Sequence, residues 1–435
     1  MAQRGGSVKQ KVRNARALEG EIYPPSDKSI SHRAVILNSV ANGNARIVNF
    51  SQADDCSATV ACLQALGVKI EPGEGGELMV QGAGKEGLKE PEDVLNAENS
   101  ATTMRMLTGL LAAQQFLSIV TGDRSLRSRP MDRVIKPLRL MGARIWGRHD
   151  DTRAPLVIQG GQLHGIRYQL PVASAQLKSA LLLAGLFSRG DTIIQEPMSS
   201  RDHTERLLNA MGAEIKVSGD TITLSPSSLD AIDLTIPGDI SSAALWLVAG
   251  AVHHQARIRL LSTGINPTRS GILDVLRLMG ADLTVSNERV LSGEPVADLE
   301  IRSSSLTGVE IGGELIPRLI DEIPLVALAA SVAHGKTVVK DAEELRLKET
   351  DRISATVEEL SKMGADTKEL PDGMIIYGGK KLHGASCDSH GDHRLAMMLG
   401  VAALIAEGET EIDNSEAADI SYPTFWEDLE RLTAG

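Results

Sequence analysis

A pattern that recurs six times along the chain constrains the fold more than any other feature of the sequence. Each copy consists of an apolar helix rich in small residues, a turn, and a β-branched strand. The copies lie roughly 65 to 80 residues apart, which is longer than a solenoid spacing, so we expect α/β units packed into compact domains. The six helices are predicted to begin near Ser29, Thr102, Gln176, Ser241, Glu322 and Arg394. Their strands are predicted at residues 45–48, 118–120, 192–194, 256–258, 337–339 and 410–412.

A second pattern, found five times, marks the end of a helix and the start of a strand. Its glycines are Gly67, Gly142, Gly212, Gly280 and Gly364. Glycine directly after the last helical turn is the usual left-handed C-cap, because it adopts positive φ without steric penalty. The pattern therefore predicts five helix-to-strand connections.

Six units predict two domains of three units each, with the break midway along the chain. Pro237 precedes the fourth helix and Pro24 precedes the first, so we expect the chain to cross between domains at these points. One domain then covers residues 24–237, and the other combines residues 1–23 with residues 238–435. Equivalent units would aim three helix N-termini the same way in each domain. We therefore expect the active site in a cleft between the domains, lined with positive helix ends.

Residues 26–33 contain the strongest candidate for a ligand-binding helix start. Ser26 and Asp27 precede an apolar run, as capping residues do. The first backbone N–H groups of a helix lack internal partners, and Lys28 and Arg33 add two positive charges there. The stretch predicts a site for a phosphate- or carboxylate-bearing ligand. The alternative is a capped surface helix whose charges are solvated.

Two later segments also place charged residues before a helix. Lys348 and Glu349 lie side by side before Arg352, and together they offer an acid/base pair. The alternative for this segment is a solvated loop held by weak salt bridges. At the start of the sixth helix, Asp392 and His393 are expected to cap the helix and support the site, and Arg394 is expected to contact a ligand.

Composition excludes several classes of function. The net charge of −12 at pH 7 argues against general nucleic-acid binding. The three cysteines lack metal-ligand spacing and are expected to be reduced thiols, and His149, His164, His253, His254, His334 and His383 have no ligand-like partners nearby. Residues 388–394 suggest a metal site or a Ser/His/Asp nucleophile, but the sequence shows neither an exposed strained serine nor an oxyanion hole there. No apolar stretch reaches the roughly 18 residues of a membrane span, and the first residues resemble no secretory signal. No P-loop motif occurs, so nucleotide binding is not expected.

Eight motifs, in the right order and spanning nearly the whole chain, resemble those of the EPSP synthase (3-phosphoshikimate 1-carboxyvinyltransferase) family. They occupy residues 25–33, 99–102, 129–131, 174–178, 201–204, 321–324, 345–352 and 392–394. The resemblance implies an α/β fold of two similar domains, each of three βαβαββ units. This is the enolpyruvyl transferase fold, an inside-out α/β barrel, and it is compatible with the six units counted above.

The resemblance also implies an enzyme and its reaction. The enolpyruvyl group of phosphoenolpyruvate would pass to the 5-hydroxyl of shikimate 3-phosphate, with release of phosphate, in the shikimate pathway to aromatic amino acids. No cofactor and no metal would be needed. The expected partners are these two small molecules, with no nucleic acid and no membrane. The protein would be a cytoplasmic monomer.

Site residues follow from the resemblance position by position. Lys28, Asp321 and Glu349 would be catalytic, with Asp321 as the base toward the hydroxyl and Glu349 as the acid toward the methylene carbon. Shikimate 3-phosphate would be held by Lys28, Ser29, Arg33, Ser174, Ala175, Gln176, Arg201, Asp321 and Lys348. Phosphoenolpyruvate would be held by Lys28, Ala101, Arg129, Gln176, Glu349, Arg352 and Arg394.

The chain resembles one branch of the family more than the other. Ala101 stands where the glyphosate-sensitive branch has glycine, and residues 174–176 and 201–203 resemble the branch often called class II. An extra methyl group beside the phosphoenolpyruvate site would crowd the longer glyphosate molecule, which predicts glyphosate tolerance. Residues 421–423, Ser-Tyr-Pro, stand where the sensitive branch has a lysine near the C-terminus.

Two alternatives to this function can be weighed on the sequence. The sister transferase that acts on UDP-N-acetylglucosamine uses a cysteine in a loop near the donor, whereas residues 123–133 here contain none. The second alternative is a non-catalytic anion-binding protein of the same fold. The presence of Lys28, Asp321 and Glu349 argues against it.

Overall fold

A computed structural model of the protein describes residues 8–434. Within them the helices are α1 (Lys28–Ser39), α2 (Asp54–Ala65), α3 (Ala101–Ala112), α4 (Asp132–Leu140), α5 (Arg148–Asp151), α6 (Ala175–Gly185), α7 (His203–Ala210), α8 (Ile240–Val252), α9 (Gly271–Leu278), α10 (Ile316–Leu319), α11 (Ile323–Val332), α12 (Arg352–Lys362), α13 (His393–Ala403) and α14 (Phe425–Thr433). The strands are β1 (Lys9–Arg13), β2 (Leu18–Ile22), β3 (Asn44–Val48), β4 (Lys69–Pro72), β5 (Leu78–Gln81), β6 (Leu95–Asn96), β7 (Leu117–Thr121), β8 (Arg144–Gly147), β9 (Arg153–Gln159), β10 (Arg167–Gln169), β11 (Thr192–Gln195), β12 (Ile215–Ser218), β13 (Thr221–Leu224), β14 (Leu234–Thr235), β15 (Ala256–Gly264), β16 (Asp282–Leu291), β17 (Glu294–Arg302), β18 (Glu310–Ile311), β19 (Lys336–Val339), β20 (Asp366–Leu370), β21 (Gly373–Tyr377), β22 (Ser386–Asp388) and β23 (Glu409–Asp413).

The chain forms two compact units. The inserted unit contains Ser26–Pro237 together with Val290–Glu294. The discontinuous unit contains the described residues up to Pro25, then Gly238–Arg289, then the chain from Pro295 onward. The sequence patterns gave no sign that Val290–Glu294, the turn of the β16–β17 hairpin, packs with the inserted unit.

The inserted unit contains three four-stranded sheets of the same design. Their strand orders are β14-β3-β5-β4, β6-β7-β9-β8 and β10-β11-β13-β12. In each sheet the first two strands are parallel and the remaining pairs are antiparallel. A helix connects the two parallel strands in the second and third sheets, and another leads to the final antiparallel pair. This is the βαβαββ unit, and the first sheet takes its leading strand, β14, from the end of the inserted segment.

The discontinuous unit repeats this design with changes at its ends. Two sheets have the orders β16-β17-β15-β2 and β18-β19-β21-β20. Each has one parallel pair, which is β2 with β15 in the first sheet and β18 with β19 in the second. The third sheet has three strands, in which β23 pairs with β22 in parallel and with β1 in antiparallel. The α/β fold class and the repeating units expected from the sequence are therefore confirmed.

The small-residue helices begin where the sequence predicts them. Helices α1, α3, α6, α8, α11 and α13 start within two residues of the predicted positions and are buried over most of their length. Gly109 of α3 shows why small residues recur in them. A Cβ atom at this position would lie 2.1 Å from the carbonyl oxygen of Ala180 in α6, so only glycine permits the observed packing. The helix-ending glycines also have positive φ, for example +86° at Gly67 and +99° at Gly142.

Each unit has its own hydrophobic core. Aliphatic residues dominate both cores, and Trp246, Tyr422 and Phe425 form an aromatic group in the discontinuous unit. Cys56, Cys62 and Cys387 are buried free thiols, as expected. Among the described residues, the structure contains no helix with the length and apolar character required to span a membrane.

Candidate functional site

Most of the predicted site residues lie at or near the N-termini of the repeated helices. The first cluster belongs to the inserted unit and consists of Lys28, Ser29, Arg33, Ala101, Arg129, Ser174, Ala175, Gln176 and Arg201. The second cluster belongs to the discontinuous unit and consists of Asp321, Lys348, Glu349, Arg352 and Arg394.

The start of α1 is built as the sequence predicts. Asp27 caps the helix, because its side chain accepts a hydrogen bond from the backbone N–H of Ile30 at 2.9 Å. Lys28 follows as the first helical residue, and its Nζ lies 3.2 Å from Asp55 Oδ2. The Lys28 side chain is only 16% exposed. Its charge is therefore held within the protein, as in a binding site, and not solvated at the surface.

Arg33 lies one turn further along α1 and is 2% exposed. It donates from Nε to Thr204 Oγ1 at 2.7 Å, from Nη1 to the carbonyl oxygen of Ser29 at 2.8 Å, and from Nη2 to Ser179 Oγ at 2.9 Å. Burial, together with the nearby positive charge of Arg201, lowers the pKa of Arg33 to about 10. Arg33 thus ties α1 to α6 and α7, and the solvated-charge alternative is wrong for this residue.

The start of α3 lies against the start of α6. Ser100 caps α3 by accepting from the N–H of Thr103, and Ala101, the first helical residue, is 8% exposed. Gln176 of α6 donates to Thr102 Oγ1 at 2.9 Å, and its carbonyl oxygen accepts from Arg105 Nη1. The two partners fix the orientation of the Gln176 amide. Arg105 was not among the predicted site residues, although its position one turn after Ala101 on the same helical face indicates it.

Arg129 lies in the loop after β7, close to the start of α3. Its Nη2 is 3.4 Å from Asn99 Oδ1, and Asn99 donates in turn to Asp123 Oδ2 at 2.6 Å. The loop that carries Arg129 is therefore connected to the residue two positions before Ala101. This brings two of the predicted phosphoenolpyruvate residues into one neighbourhood.

The third helix start of the inserted unit carries Ser174 and Ala175. Ser174 caps α6 by accepting from the N–H of Leu177 at 3.4 Å, and Ala175 is the first helical residue. Arg201 lies just before α7 and is partly exposed. Arg33 donates to Thr204, three residues beyond Arg201, so the two arginines lie in the same part of the unit. The first cluster therefore gathers several cations around the N-termini of α1, α3 and α6.

Arg352 organises the second cluster. It is 2% exposed and contacts Asp392 Oδ2 at 2.8 Å through Nε, Asp321 Oδ1 at 3.2 Å through Nη1, and Glu349 Oε2 at 2.6 Å through Nη2. Burial alone would lower the pKa of Arg352, but the charges of Asp392, Glu349 and Asp321 more than offset burial and raise it. A buried guanidinium with three carboxylate partners rules out the solvated-loop alternative here.

Asp321 and Glu322 are adjacent carboxylates with different environments. Glu322 is fully buried and forms a two-pronged salt bridge with Arg269, at 2.8 and 3.1 Å. Asp321 keeps 14% of its side chain exposed and lies 3.4 Å from Lys348 Nζ. Lys348 and Glu349, expected as an acid/base pair, therefore contact different partners: Lys348 contacts Asp321, and Glu349 contacts Arg352.

Asp392 has two roles at the start of α13. Its Oδ1 accepts from the backbone N–H of Arg394 at 2.8 Å, so it caps the helix as predicted, and it also binds Arg352. Arg394 is partly exposed, and its buried Nε atom has no hydrogen-bond partner among the described residues. Such an unpaired donor is available to a ligand.

Tyr422 lies in residues 421–423, the segment in which the sequence resemblance implies that a lysine is missing. Its side chain is fully buried, donates to Asp428 Oδ2 at 2.6 Å and accepts from Trp246 Nε1 at 3.1 Å. Tyr422 is thus a core residue of the discontinuous unit. It does not supply a cation in place of the missing lysine.

Among the described residues, one group of side chains has the spacing of a metal site: Glu358, Glu359 and His390. Glu359 is fully buried, and its oxygens already contact Lys362 Nζ at 2.8 Å, His390 Nε2 at 2.7 Å and the backbone N–H of Asp388 at 3.1 Å. These contacts satisfy the carboxylate within the protein. We therefore assign no metal to this group.

Comparisons with known proteins agree on one family. The family model described as EPSP synthase (3-phosphoshikimate 1-carboxyvinyltransferase) matches residues 12–429. The chain is 54% identical over 424 residues to a 3-phosphoshikimate 1-carboxyvinyltransferase of Herpetosiphon aurantiacus, covering 97% of this chain and 98% of the relative. It is 53% identical over 423 residues to that of Desulforudis audaxviator, with 97% and 99% covered.

Solved structures give the same result. An EPSP synthase of Acinetobacter baumannii superposes with a TM-score of 0.89 at 42% identity and covers 98% of both chains. The enolpyruvyl transferase NikO of Streptomyces tendae superposes with a TM-score of 0.79 at 18% identity, also over 98% of both chains. The second likeness shows a shared fold alone.

Proposed function

This chain belongs to the EPSP synthase family, and we propose that its two clusters of helix-terminal residues carry out the reaction of that family. The protein is an enzyme that transfers the enolpyruvyl group of phosphoenolpyruvate to the 5-hydroxyl of shikimate 3-phosphate and releases phosphate. The assignment of individual residues to steps is our proposal. The arrangement around Arg352 is the observation that supports it most strongly.

Arg352 holds two carboxylates that can divide the proton transfers. Asp321 and Glu349 contact different nitrogens of the same guanidinium, at 3.2 and 2.6 Å. In our proposal Asp321 accepts the proton of the 5-hydroxyl, because Lys348 and Arg352 keep its carboxyl group in the ionised form that can take up a proton. In our proposal Glu349 takes up a proton when the negatively charged phosphoenolpyruvate binds beside it, and it then donates that proton to the methylene carbon, which makes the adjacent carbon electrophilic.

The two steps of the reaction then balance. The 5-hydroxyl oxygen bonds to the electrophilic carbon and gives a tetrahedral intermediate. Glu349, now ionised, removes a proton from the new methyl group as the bond to phosphate breaks. The proton held by Asp321 passes to the departing phosphate. Both carboxyl groups return to their starting states, and no metal or organic cofactor enters any step.

The remaining residues of the two clusters are proposed to hold anions. Lys28, Ser29, Arg33, Ser174, Ala175, Gln176, Arg201, Asp321 and Lys348 would contact shikimate 3-phosphate. Lys28, Ala101, Arg129, Gln176, Glu349, Arg352 and Arg394 would contact phosphoenolpyruvate. Charge-assisted contacts of this kind contribute about 1.5–3 kcal/mol each, which is enough to hold two anionic substrates on a protein of net charge −12. We propose that both clusters act on the same pair of substrates, bound between residues 24–237 and the remainder of the chain.

Glyphosate tolerance, as in the class II branch, is a further part of the proposal. Its support is Ala101, whose methyl group is present at the first residue of α3 where sensitive relatives have glycine. Cytoplasmic location and a monomeric state are proposed from the family resemblance. Size-exclusion chromatography with light scattering would test the monomer, for which the expected mass is 46.4 kDa.

Phosphate release from the purified protein tests the function. Phosphoenolpyruvate is supplied with either shikimate 3-phosphate or UDP-N-acetylglucosamine, each with and without glyphosate. We expect phosphate release when shikimate 3-phosphate is the acceptor and none when UDP-N-acetylglucosamine is the acceptor. We expect this phosphate release to persist when the glyphosate concentration is near that of phosphoenolpyruvate. Phosphate release with the UDP-sugar but not with shikimate 3-phosphate would overturn the assignment of the acceptor. Inhibition at low glyphosate concentration would overturn the proposed glyphosate tolerance.

A further inference from the structure

A buried charge cluster lies beside Arg201 and is not used in the reaction proposed above. It consists of Lys178 on α6, Glu196 after β11, Ser200, and Glu205 on α7. Lys178 is 1% exposed, and the two glutamates are 7% and 6% exposed. Lys178 shares a conspicuous helix start with Ser174 and Gln176, yet its ammonium group is turned into the protein.

All three polar contacts of the Lys178 ammonium group are made within the unit. Nζ lies 2.9 Å from Glu196 Oε2, 2.6 Å from Glu205 Oε1 and 3.4 Å from the carbonyl oxygen of Ser200. An ammonium group has three donors, so these partners account for its hydrogen-bonding capacity. Lys178 therefore cannot bind a substrate anion directly.

Ser200, the residue directly before Arg201, is held by this cluster at three points. Its carbonyl oxygen contacts Lys178, and both its hydroxyl group and its backbone N–H donate to Glu196 Oε1, the N–H at 3.3 Å. Four residues beyond Arg201, Glu205 anchors the first turn of α7 to the same ammonium group. The segment that carries Arg201 is therefore fixed at both ends by one buried cation.

Within the cluster two carboxylates face one ammonium group, so part of the positive charge near Glu205 comes from Arg33, which is outside the cluster. Glu205 Oε2 is buried without a hydrogen-bond partner among the described residues. Burial raises the pKa of Glu205, although Lys178 acts in the opposite direction. Stability alone does not explain such a buried charge cluster, because apolar residues of similar size often stabilise a core better.

We propose that Lys178 and Glu196 are positioning residues that hold Ser200, and through it Arg201, in the place where Arg201 meets shikimate 3-phosphate. This inference rests on the proposed function, in which Arg201 contacts that substrate. In this proposal Lys178 and Glu196 affect the affinity for shikimate 3-phosphate and do not take part in the chemical step.

Glu196→Gln is the variant of choice, because it has the same shape and leaves Lys178 with Glu205 as a balanced pair. The glutamine amide can offer its oxygen either to Lys178 or to Ser200, but not to both, so one contact is lost in either orientation. We expect the KM for shikimate 3-phosphate to rise roughly tenfold, as for the loss of a charge-assisted contact. The KM for phosphoenolpyruvate and kcat should change less than threefold.

A double-mutant cycle with Arg201→Ala separates positioning from a general structural effect. If Glu196 acts through Arg201, Glu196→Gln should raise the KM for shikimate 3-phosphate in the native background and leave it unchanged when Arg201 is already alanine. An equal rise in both backgrounds would overturn the inference, as would no rise in the native one. If Arg201→Ala itself left this KM unchanged, the proposed role of Arg201 would fail, and the positioning role would fail with it.

Two further variants guard against unfolding. Asp428→Asn removes a buried carboxylate that accepts from Tyr422 in the discontinuous unit, and it serves as the matched control for thermal stability. Ser200→Ala removes only one contact to Glu196 and leaves the ion cluster intact. It should raise the KM for shikimate 3-phosphate about two- to threefold, and if Glu196→Gln did not fold, an unchanged KM in Ser200→Ala would overturn the inference.

Discussion

The residues around Arg352 show how one guanidinium sets the roles of several carboxylates. Asp392 is fully buried beside it, whereas Glu349 keeps 24% of its side chain exposed and Asp321 keeps 14%. A carboxylate sealed from solvent is suited to support, and a carboxylate that retains exposure can reach a substrate. Exposure therefore supports assigning the proton transfers to Asp321 and Glu349 and a structural role to Asp392.

Glu349→Gln tests the proposed acid. The amide can still contact Arg352, but it has no acidic proton for the methylene carbon, so we expect kcat to fall about 10²- to 10⁴-fold while the KM values change little. Steady-state phosphate release, with substrate binding followed by calorimetry, measures both quantities. Glu358→Gln is the matched control, because Glu358 lies on α12 with its side chain 57% exposed. Full activity in Glu349→Gln would remove Glu349 from the acid role.

Ala101→Gly tests the proposed basis of glyphosate tolerance. Removing one buried methyl group should admit the longer inhibitor and lower its inhibition constant roughly tenfold, as for one methylene in a fitted pocket. The KM for phosphoenolpyruvate should change less. Ala53→Gly, at the buried N-cap of α2, controls for a looser helix start in the same unit. An unchanged inhibition constant in Ala101→Gly would defeat the crowding argument.

Among the helices, those that carry site residues depend on side-chain caps shared with the site. Asp392 caps α13 and also binds Arg352, the first residue of α12. In the inserted unit, Ser100 caps α3 and contacts Thr103 Oγ1 at 2.7 Å, and Thr103 contacts Thr59 of α2 at 2.6 Å. The capped starts of α3 and α13 are thus each connected by side chains to a neighbouring helix of the same unit. A change at one cap should therefore be felt at a neighbouring helix.

Asp392→Asn separates the cap from the ion pair. Asparagine caps helices as well as aspartate, so α13 should persist, but the buried Arg352 loses one of its three charged partners. We expect the free energy of unfolding to fall by about 2 kcal/mol, less than for a fully broken pair because Asp321 and Glu349 remain. Urea unfolding followed by circular dichroism measures it. In the control Asp239→Asn, which also alters a helix cap, the nearest Arg269 nitrogen lies 3.9 Å away, so a smaller loss is expected. Equal losses would contradict the ion-pair argument.

The elements that sequence could predict are those set by local chemistry. Capping residues and runs of small apolar residues placed the starts of α1, α3 and α6 to within two residues. The pairing of β14 with β3 was not predictable, because it joins two residues to a strand nearly 190 positions earlier. The burial of Lys178 was missed for a similar reason, since both glutamates that neutralise it lie well beyond its own helix.

For the whole molecule, the fold class predicted from the sequence agrees with the fold of the confirmed family. The stability of the molecule has to be considered for each unit separately. Each unit has its own core, so two unfolding transitions are compatible with the structure. In the discontinuous unit, strand β1 pairs with strand β23 along five residues, although about 400 positions separate the two strands in the sequence. Its cross-strand charges, such as Lys9 with Glu411 at 2.6 Å, lie at the surface and are screened by salt. Buried ionisable groups should therefore dominate the pH dependence of stability.

His32 is the clearest of these groups. It is 2% exposed on α1, and its Nδ1 lies 2.7 Å from Thr59 Oγ1. Burial lowers its pKa from 6.5 to about 3, and Lys28 and Arg33 act in the same direction while Asp55 opposes them. Below pH 6.5 the unfolded chain binds a proton that the folded chain does not. The contribution of His32 to stability is therefore complete above pH 6.5 and is lost as the pH falls from 6.5 toward 3.

His32→Gln should flatten this dependence, because glutamine does not titrate but can still contact Thr59. Between pH 7 and pH 4.5, we expect the native protein to lose roughly 3 kcal/mol more of its free energy of unfolding than the variant. At pH 7 the variant should be less stable by about 1 kcal/mol, owing to imperfect packing. Urea unfolding at a series of pH values provides the comparison, with His149→Gln as the control at an exposed histidine. The loss should appear in only one transition if the two units unfold separately, since His32 belongs to the inserted unit. Parallel pH curves for the native protein and His32→Gln would show that His32 gains a proton without unfolding, and would place the acid sensitivity of the molecule elsewhere.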